Sequence, residues 1–511
     1  MDEQLVSQIV EARAATLDAR RPAALASARA AGTMTARERV DALVDPGSFV
    51  EFGQLAGAAT ESGDDLAADG LVAGAGRVCG QPVVVAAHDP TVRGGTQSDR
   101  NQRKLARLMW LANARRWPFV CFVDGDGARP ADPLPAPPIV IYPRGRWDAY
   151  DGLAELSGWA PTVAIVGGRA LDGNAALAQL CDCVIATGAA SFGSRDHASG
   201  AVVERPAADY GKGGHVDVVV EDDAAAVAAA RRYLAYWVDD PDAATAAGDL
   251  PAPSLSPAHD ALADVIPENR RRPYDMRKVI AGFADADSLL ELGAGWARSM
   301  LTVLARLDGC AVGILANQPS SPMAGAIDAE AADKAARFVD LCDAYELPIV
   351  SFVDNPGYMV GPDAERNGIA RHHARPLSAL HHRTVPLYSV QLRKAYGLGP
   401  YAMSGFGGSR VMPDLRLAWP SVESGGMSLE GAAYLVKRKE IQAAATPEEA
   451  RAIRDAYAET MRDQASGLRA ASSFSFDDVI LPSETRSRIS ALVSAVPRVL
   501  PVAKKHPIRL R

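Results

Sequence analysis

The chain contains part of itself twice. Gly95–Asp124 and Gly325–Asp354 align at a constant offset of 230, with 11 of 30 positions identical. The shared positions include Lys104/Lys334, Arg107/Arg337, Pro118/Pro348 and the closing Phe-Val-Asp. Upstream, Gly80-Gln-Pro-Val-Val-Val faces Gly309-Cys-Ala-Val-Gly-Ile after a one-residue slip. Each copy reads as a strand, a glycine-bearing loop, an amphipathic helix and a buried strand ending at an aspartate. The period is far too long for a solenoid, whose repeats run about 20–50 residues. It predicts two tandem homologous α/β domains. Val238–Pro257, rich in Pro, Ala and Asp, reads as the connection. The expected division is a first domain over 1–240, a linker over 241–257 and a second domain over 258–511.

Composition narrows the function classes. Hydrophobic residues at 48% and charged residues at 23% suit a globular protein, not a disordered one. A net charge of −8 lacks the electrostatic footprint of a general nucleic-acid binder. The first twenty residues carry no apolar run of a secretory signal, and no segment reads as a membrane span. Cys79, Cys121, Cys181, Cys183, Cys310 and Cys342 form neither CxxC nor zinc-finger spacing. They are expected to be reduced, buried thiols in a cytoplasmic protein.

The candidate chemistry lies at strand ends. Phe119–Asp124 and Ile349–Asp354 each end in a polar turn, where open α/β folds place their ligands. Asp124 and Asp354 are expected to cap those turns rather than act as an acid–base pair. Downstream, Pro161-Thr-Val-Ala-Ile-Val runs into Gly167-Gly-Arg-Ala-Leu-Asp-Gly-Asn, and Val385-Pro-Leu-Tyr-Ser-Val runs into Arg393-Lys-Ala-Tyr-Gly-Leu-Gly. A strand entering a glycine loop and then a helix leaves backbone N–H groups free toward an anion. Two such loops at corresponding places suggest two oxyanion-type sites.

Ordered segments along nearly the whole chain resemble the carboxyltransferase (β) subunit of biotin-dependent acyl-CoA carboxylases, of the propionyl-CoA and methylcrotonyl-CoA type. They are Met34-Thr-Ala-Arg-Glu-Arg-Val, Asp69-Gly-Leu-Val-Ala-Gly, Pro273-Tyr-Asp-Met-Arg-Lys-Val-Ile, Val353-Asp-Asn-Pro-Gly-Tyr-Met-Val-Gly, Arg371-His-His-Ala, Arg393-Lys-Ala-Tyr-Gly-Leu-Gly and Gly425-Gly-Met. The resemblance implies two crotonase-like (ClpP/crotonase) domains, each a β-β-α superhelix, in a homo-oligomer from dimer to hexamer. The active site would form between the first domain of one protomer and the second of another. The first would hold an acyl-CoA and the second carboxybiotin. Biotin itself would accept the α-proton, so no side-chain base is required. Neither a biotinylation motif nor a P-loop is present. A biotin carboxylase and biotin carboxyl carrier partner is therefore implied.

By position, the resemblance implies oxyanion holes from the N–H groups of Asp172 and Gly173, and of Leu398 and Gly399. It implies substrate contacts from Gly127, Ala128, Arg129 and Asn174, and from Tyr358, Tyr396, Gly397 and Tyr401. The leucine is compatible with its role if its φ stays negative. The first half departs from the family text. Asp124-Gly-Asp-Gly-Ala-Arg and Asp172-Gly-Asn put carboxylates at Asp126 and Asp172, and Pro130–Pro143 replaces a helix that would line the acyl pocket. A carboxylate facing an enolate would raise its energy. Alternative readings are therefore a biotin-independent thioester decarboxylase or hydrolase, or a scaffold subunit. In the second half Tyr401 stands where an aspartate is common. Among other residues, Arg37 and Arg39 read as an exposed helix face or as contacts to CoA phosphates. His372-His373 and His381-His382 are expected to be structural, because adjacent residues do not share a helix face.

Overall fold

The computed structural model describes residues 2–57, 66–129, 149–196, 199–238, 248, 251–270, 272–405, 412–462, 465–496 and 498–510. The Pro-rich stretch and most of the expected linker lie outside them. The chain forms two compact units, Met1–Leu250 with Pro501–Leu510, and Pro251–Leu500. The segment Pro501–Leu510 thus groups with the first unit, where the sequence reading had placed it with the second.

Both units start from the same hairpin. In the first, Leu71–Val78 pairs antiparallel with Gln81–His88 through Cys79-Gly80, whose φ values are +52° and +74°. In the second, Met300–Leu307 pairs with Cys310–Asn317 through Asp308-Gly309, at +50° and +82°. Two consecutive positive φ angles mark the tight turn whose twist matches that of the strands. A short strand, Val50–Glu51 or Leu290–Glu291, flanks each hairpin antiparallel, and the strands on its other side add in parallel. In the first unit they are Phe119–Phe122, Thr162–Val166, Cys183–Thr187 and Val218–Val220. In the second they are Ile349–Asn355, Leu387–Tyr396, Leu415–Ala418 and Asp478–Val479. Val84 pairs with Phe119 and Gly313 with Ile349. These are equivalent registers, so the one-residue slip falls between the hairpin and the following helix.

That helix is Asp99–Arg115 in the first unit and Ala329–Ala344 in the second. Ser98 and Asn101 close a capping box on the first, and Asp328 caps the second. Leu105, Leu108, Met109 and Ala112 recur at helical spacing and pack on Val84, Ala86, Phe119 and Cys121. Burying each Leu or Met there contributes about 1.5–3 kcal/mol. The recurring lysines have one shared task. Lys104 Nζ donates to the carbonyls of Ala68 and Leu71, and Lys334 Nζ to those of Gly293, Trp296 and Met300. Each thus ties down the entry of the first hairpin strand. Burial lowers the Lys104 pKa to about 8. None of the six cysteines is disulfide-bonded, and all but the half-buried Cys310 are buried. Among the described residues no helix is long and apolar enough to cross a membrane.

Candidate active site

Each repeated strand delivers a buried aspartate to a buried arginine. Asp124 accepts hydrogen bonds from the N–H groups of Gly167 and Gly168, and pairs with Arg39. Arg39 also pairs with Asp223 at 3.0 Å and is 1% exposed. Arg39 therefore belongs to the core and is neither on an exposed face nor available to a nucleotide. Arg37 likewise lies against Glu51 and the Thr16 carbonyl. In the second unit Asp354 accepts from Lys394 N–H at 3.1 Å and pairs with Arg393 at 3.0 Å. Asp124 caps a turn as expected, at Gly167-Gly168, whereas Asp354 binds the backbone of Lys394 within the strand Leu387–Tyr396. They fix the start of the glycine loop that follows.

The two glycine loops differ in conformation. In the second unit Gly397 takes φ +60°, Leu398 takes φ −82°, and a helix spans Gly399–Ser404. The glycine accommodates the left-handed step. The leucine has a negative φ, as the role expected of its N–H requires. No described residue accepts a hydrogen bond from Leu398 N–H or Gly399 N–H. Gly397, Leu398 and Tyr401 border a cavity of about 870 Å³, whose wall also includes Gln391, Arg416 and Ser424. That volume is in the range of small-molecule sites. Tyr396 is not part of that wall. It is 4% exposed, and its hydroxyl donates to Glu423. Tyr358 also turns away. Its hydroxyl donates to the His373 carbonyl at 3.1 Å, and its ring stacks on His373 at 3.6 Å. His372 meets Asp333 at 2.9 Å. Among the described residues no cluster of side chains could hold a metal ion.

In the first unit the left-handed step falls on Asp172, at φ +46° and ψ −115°. Its N–H donates to the Gly193 carbonyl at 3.0 Å. The expected pair of donors is therefore corrected: Asp172 N–H ties its loop to the strand Ser191–Arg195, while Gly173 N–H has no acceptor among the described residues. The Asp172 side chain accepts from Arg195 N–H through Oδ1 at 3.0 Å. Its Oδ2 is buried without a partner among the described residues. Asp126 does not face the loop as a bare charge. Arg169 grips it with two bonds of 2.9 Å, and Arg195 approaches to 3.7 Å.

Two further residues expected to touch substrate are engaged internally. Arg129 donates to Asp69 and to Thr96 through all three guanidinium nitrogens. It holds the hairpin entry against the loop. Asn174 is fully buried and accepts from Gly127 N–H at 3.2 Å. Gly127 is buried, and only Ala128 of that turn is exposed. Residues not singled out from sequence complete the loop. The Tyr150 hydroxyl lies 3.0 Å from both Gln97 Oε1 and the Gly173 carbonyl. Gln97 follows the repeated glycine Gly95 by two positions, a signal that was available. Tyr150 offered none.

The chain matches the carboxyl transferase domain family over residues 27–194 and 203–505. It is 35% identical to the methylmalonyl-CoA carboxyltransferase 12S subunit of Propionibacterium freudenreichii, over 93% of this chain and 91% of that one. It is 32% identical to the propionyl-CoA carboxylase carboxyltransferase subunit of Haloferax mediterranei, over 96% and 95%. A crystal structure of transcarboxylase 12S with methylmalonyl-coenzyme A and methylmalonic acid bound superposes with a TM-score of 0.80 at 33% identity. It covers 99% of this chain and 98% of that one. A single-chain, multi-domain long-chain acyl-CoA carboxylase gives a TM-score of 0.84 at 38% identity, covering 96% of this chain and 49% of that one. The duplicated units are two tandem crotonase-like domains, and the chain belongs to the carboxyl transferase family as an acyl-CoA carboxyltransferase.

Proposed function

We propose that the chain moves a carboxyl group from carboxybiotin, carried on a partner protein, to the α-carbon of an acyl-CoA. The second unit receives the biotin and the first holds the thioester. The observation that carries this reading is the pair of acceptor-free N–H groups at Leu398 and Gly399 beside the 870 Å³ cavity. Donors fixed in place before reaction stabilise a developing oxyanion without reorganisation, and each is worth roughly 3–4 kcal/mol. In the second unit they would polarise the ureido oxygen of biotin. Carboxybiotin supplies the carboxyl group and, once that has left, a nitrogen able to take the α-proton.

In the first unit Gly173 N–H would meet the thioester oxygen, with Tyr150, itself bonded to Gln97, holding the carbonyl of the same residue. Asp126 presents no obstacle there, because Arg169 and Arg195 offset its charge. Asp172 Oδ2 favours a second reading, in which its carboxyl group donates a proton to a decarboxylated thioester without biotin. Asp172→Ala separates the two: the backbone-donor enzyme keeps or gains rate, and a proton-donor enzyme loses most of it. A soluble biotin carboxylase and biotin carrier subunit, a homo-oligomer from dimer to hexamer and a cytoplasmic setting complete the proposal.

Leu398→Pro tests the biotin half directly. Proline suits φ −82° and replaces the N–H with a ring carbon. Biotin-dependent carboxyl transfer should fall about 100-fold or more, while Leu398→Ala stays near the unaltered rate. Equal rates for both variants would refute the backbone-donor role.

A further inference from the structure

The two units make one hydrogen bond from opposite elements. In the second, Asn355 at the end of the strand accepts from Gly357 N–H at 3.0 Å. In the first, the strand position is Gly125, and the acceptor is Asn174 on the facing helix, which reaches Gly127 N–H at 3.2 Å. The aligned helix position in the second unit is Pro400. Each amide needs a glycine opposite. A Cβ at Gly125 would lie 2.6 Å from Asn174 Nδ2, and one at Gly399 would collide with Asn355 Oδ1. The asparagine has thus moved from the helix in one unit to the strand end in the other while the contact to the turn glycine survived.

That contact stands where the turn meets the N–H loop. Gly127 and Gly357 also accept through their carbonyls, from Gln97 N–H at 2.7 Å and Ile327 N–H at 3.1 Å. They pack directly on the loops. A Cβ at Gly127 would lie 2.8 Å from Asp172 Cβ, and one at Gly399 would lie 2.9 Å from Gly357 Cα. Asn355 is itself held by Asn317, which accepts from Asn355 Nδ2 at 3.0 Å, and both are fully buried. A buried N–H left without an acceptor is costly, so the turn shifts when the amide is removed.

We infer that Asn174 and Asn355 are equivalent positioning residues, each setting the geometry of its own half-site through the glycine of the facing turn. The inference rests on the proposed division of labour between the units. Its test uses the full chain with methylmalonyl-CoA and free biotin, varying each in turn. Asn355→Ala should raise KM for biotin about tenfold and leave KM for the thioester unchanged; Asn174→Ala should do the reverse. The double substitution Asn355→Gly with Pro400→Asn transplants the first unit's arrangement and should restore most of the biotin KM. A general loss of fold would lower the maximal rate and leave both KM values where they were. That result, unchanged KM values at full rate, or no rescue by the transplant would overturn the inference.

Amide exchange over residues 355–361 reads the contact without turnover and should quicken in Asn355→Ala but not in the transplant. Unchanged exchange in Asn355→Ala would also overturn it. If the unaltered chain fails to turn over while exchange responds as expected, the carboxyl-transfer reading is at fault, and the catalytic part of the inference falls with it.

Discussion

The two glycine loops occupy the same place in duplicated units, yet only one is relaxed. In the second, the positive φ falls on Gly397, and the neighbouring amides Asn317 and Asn355 satisfy each other. In the first, the positive φ falls on Asp172, and Asp172 Oδ2, Asn174 Nδ2 and Gln97 Nε2 are buried without partners among the described residues. A duplicated fold therefore keeps its frame while its two loops diverge. The frame is the strand–helix–strand with its lysine and aspartate. The difference places the strained loop in the first unit, the side proposed to hold the thioester.

Six substitutions would break or sharpen this comparison. The frame should fail equally in both units. Arg39→Met and Arg393→Met each strand a buried aspartate, and each should cost about 3–5 kcal/mol in urea unfolding. A small loss at either site would show that the shared wiring is not shared in energy.

The loops should differ next. Gly399→Ala drives a Cβ into fully buried Asn355 and the Gly357 backbone. It should cost at least about 100-fold in biotin-dependent rate, by displacing the donors. Gly173→Ala meets the ends of the Gln97 and Tyr150 side chains, which can yield. A loss of about tenfold or less is expected there.

A smaller effect concerns acid. His88 ends the strand Gln81–His88, where the second unit has Asn317. Burial lowers its pKa to about 4, opposed in part by Asp124. A histidine held neutral in the fold favours the unfolded chain once that chain can take up the proton. Stability is thus full above about pH 6.5 and falls as pH drops toward 4, by about 2 kcal/mol at pH 5. His88→Asn should remove that loss, as seen in urea midpoints measured from pH 7 to pH 5.

The smallest effect tests strain. Asp172→Gly relieves a positive φ on a side-chain-bearing residue but gives up the bond from Arg195 N–H. A net gain of about 1 kcal/mol is expected, read as a rise in Tm. An unchanged or lower Tm would mean that the aspartate is at rest in its loop.

Much of this frame was legible in the sequence. The repeat exposed the duplication, because helix spacing and strand-end aspartates are local patterns. The loops were legible as loops, since Gly397-Leu-Gly and Asp172-Gly-Asn interrupt apolar runs. Their wiring was not. Arg39 finds Asp124 and Asp223 at separations of 85 and 184 residues. Arg37 and Arg129 likewise looked like free cations, and only the packed fold shows what neutralises them. The Asp172 N–H was misassigned for the same reason. Its acceptor, the Gly193 carbonyl, belongs to a three-stranded sheet whose strand beside Asp172, Arg169–Leu171, is too short to give a sequence pattern.

The central claim is that both loops act in one transfer. It is tested most directly by incubating the purified chain with methylmalonyl-CoA, with and without free biotin, and following loss of the carboxyl group. The account predicts loss that depends on biotin and saturates with it. Equal loss without biotin, or none with it, would contradict the account.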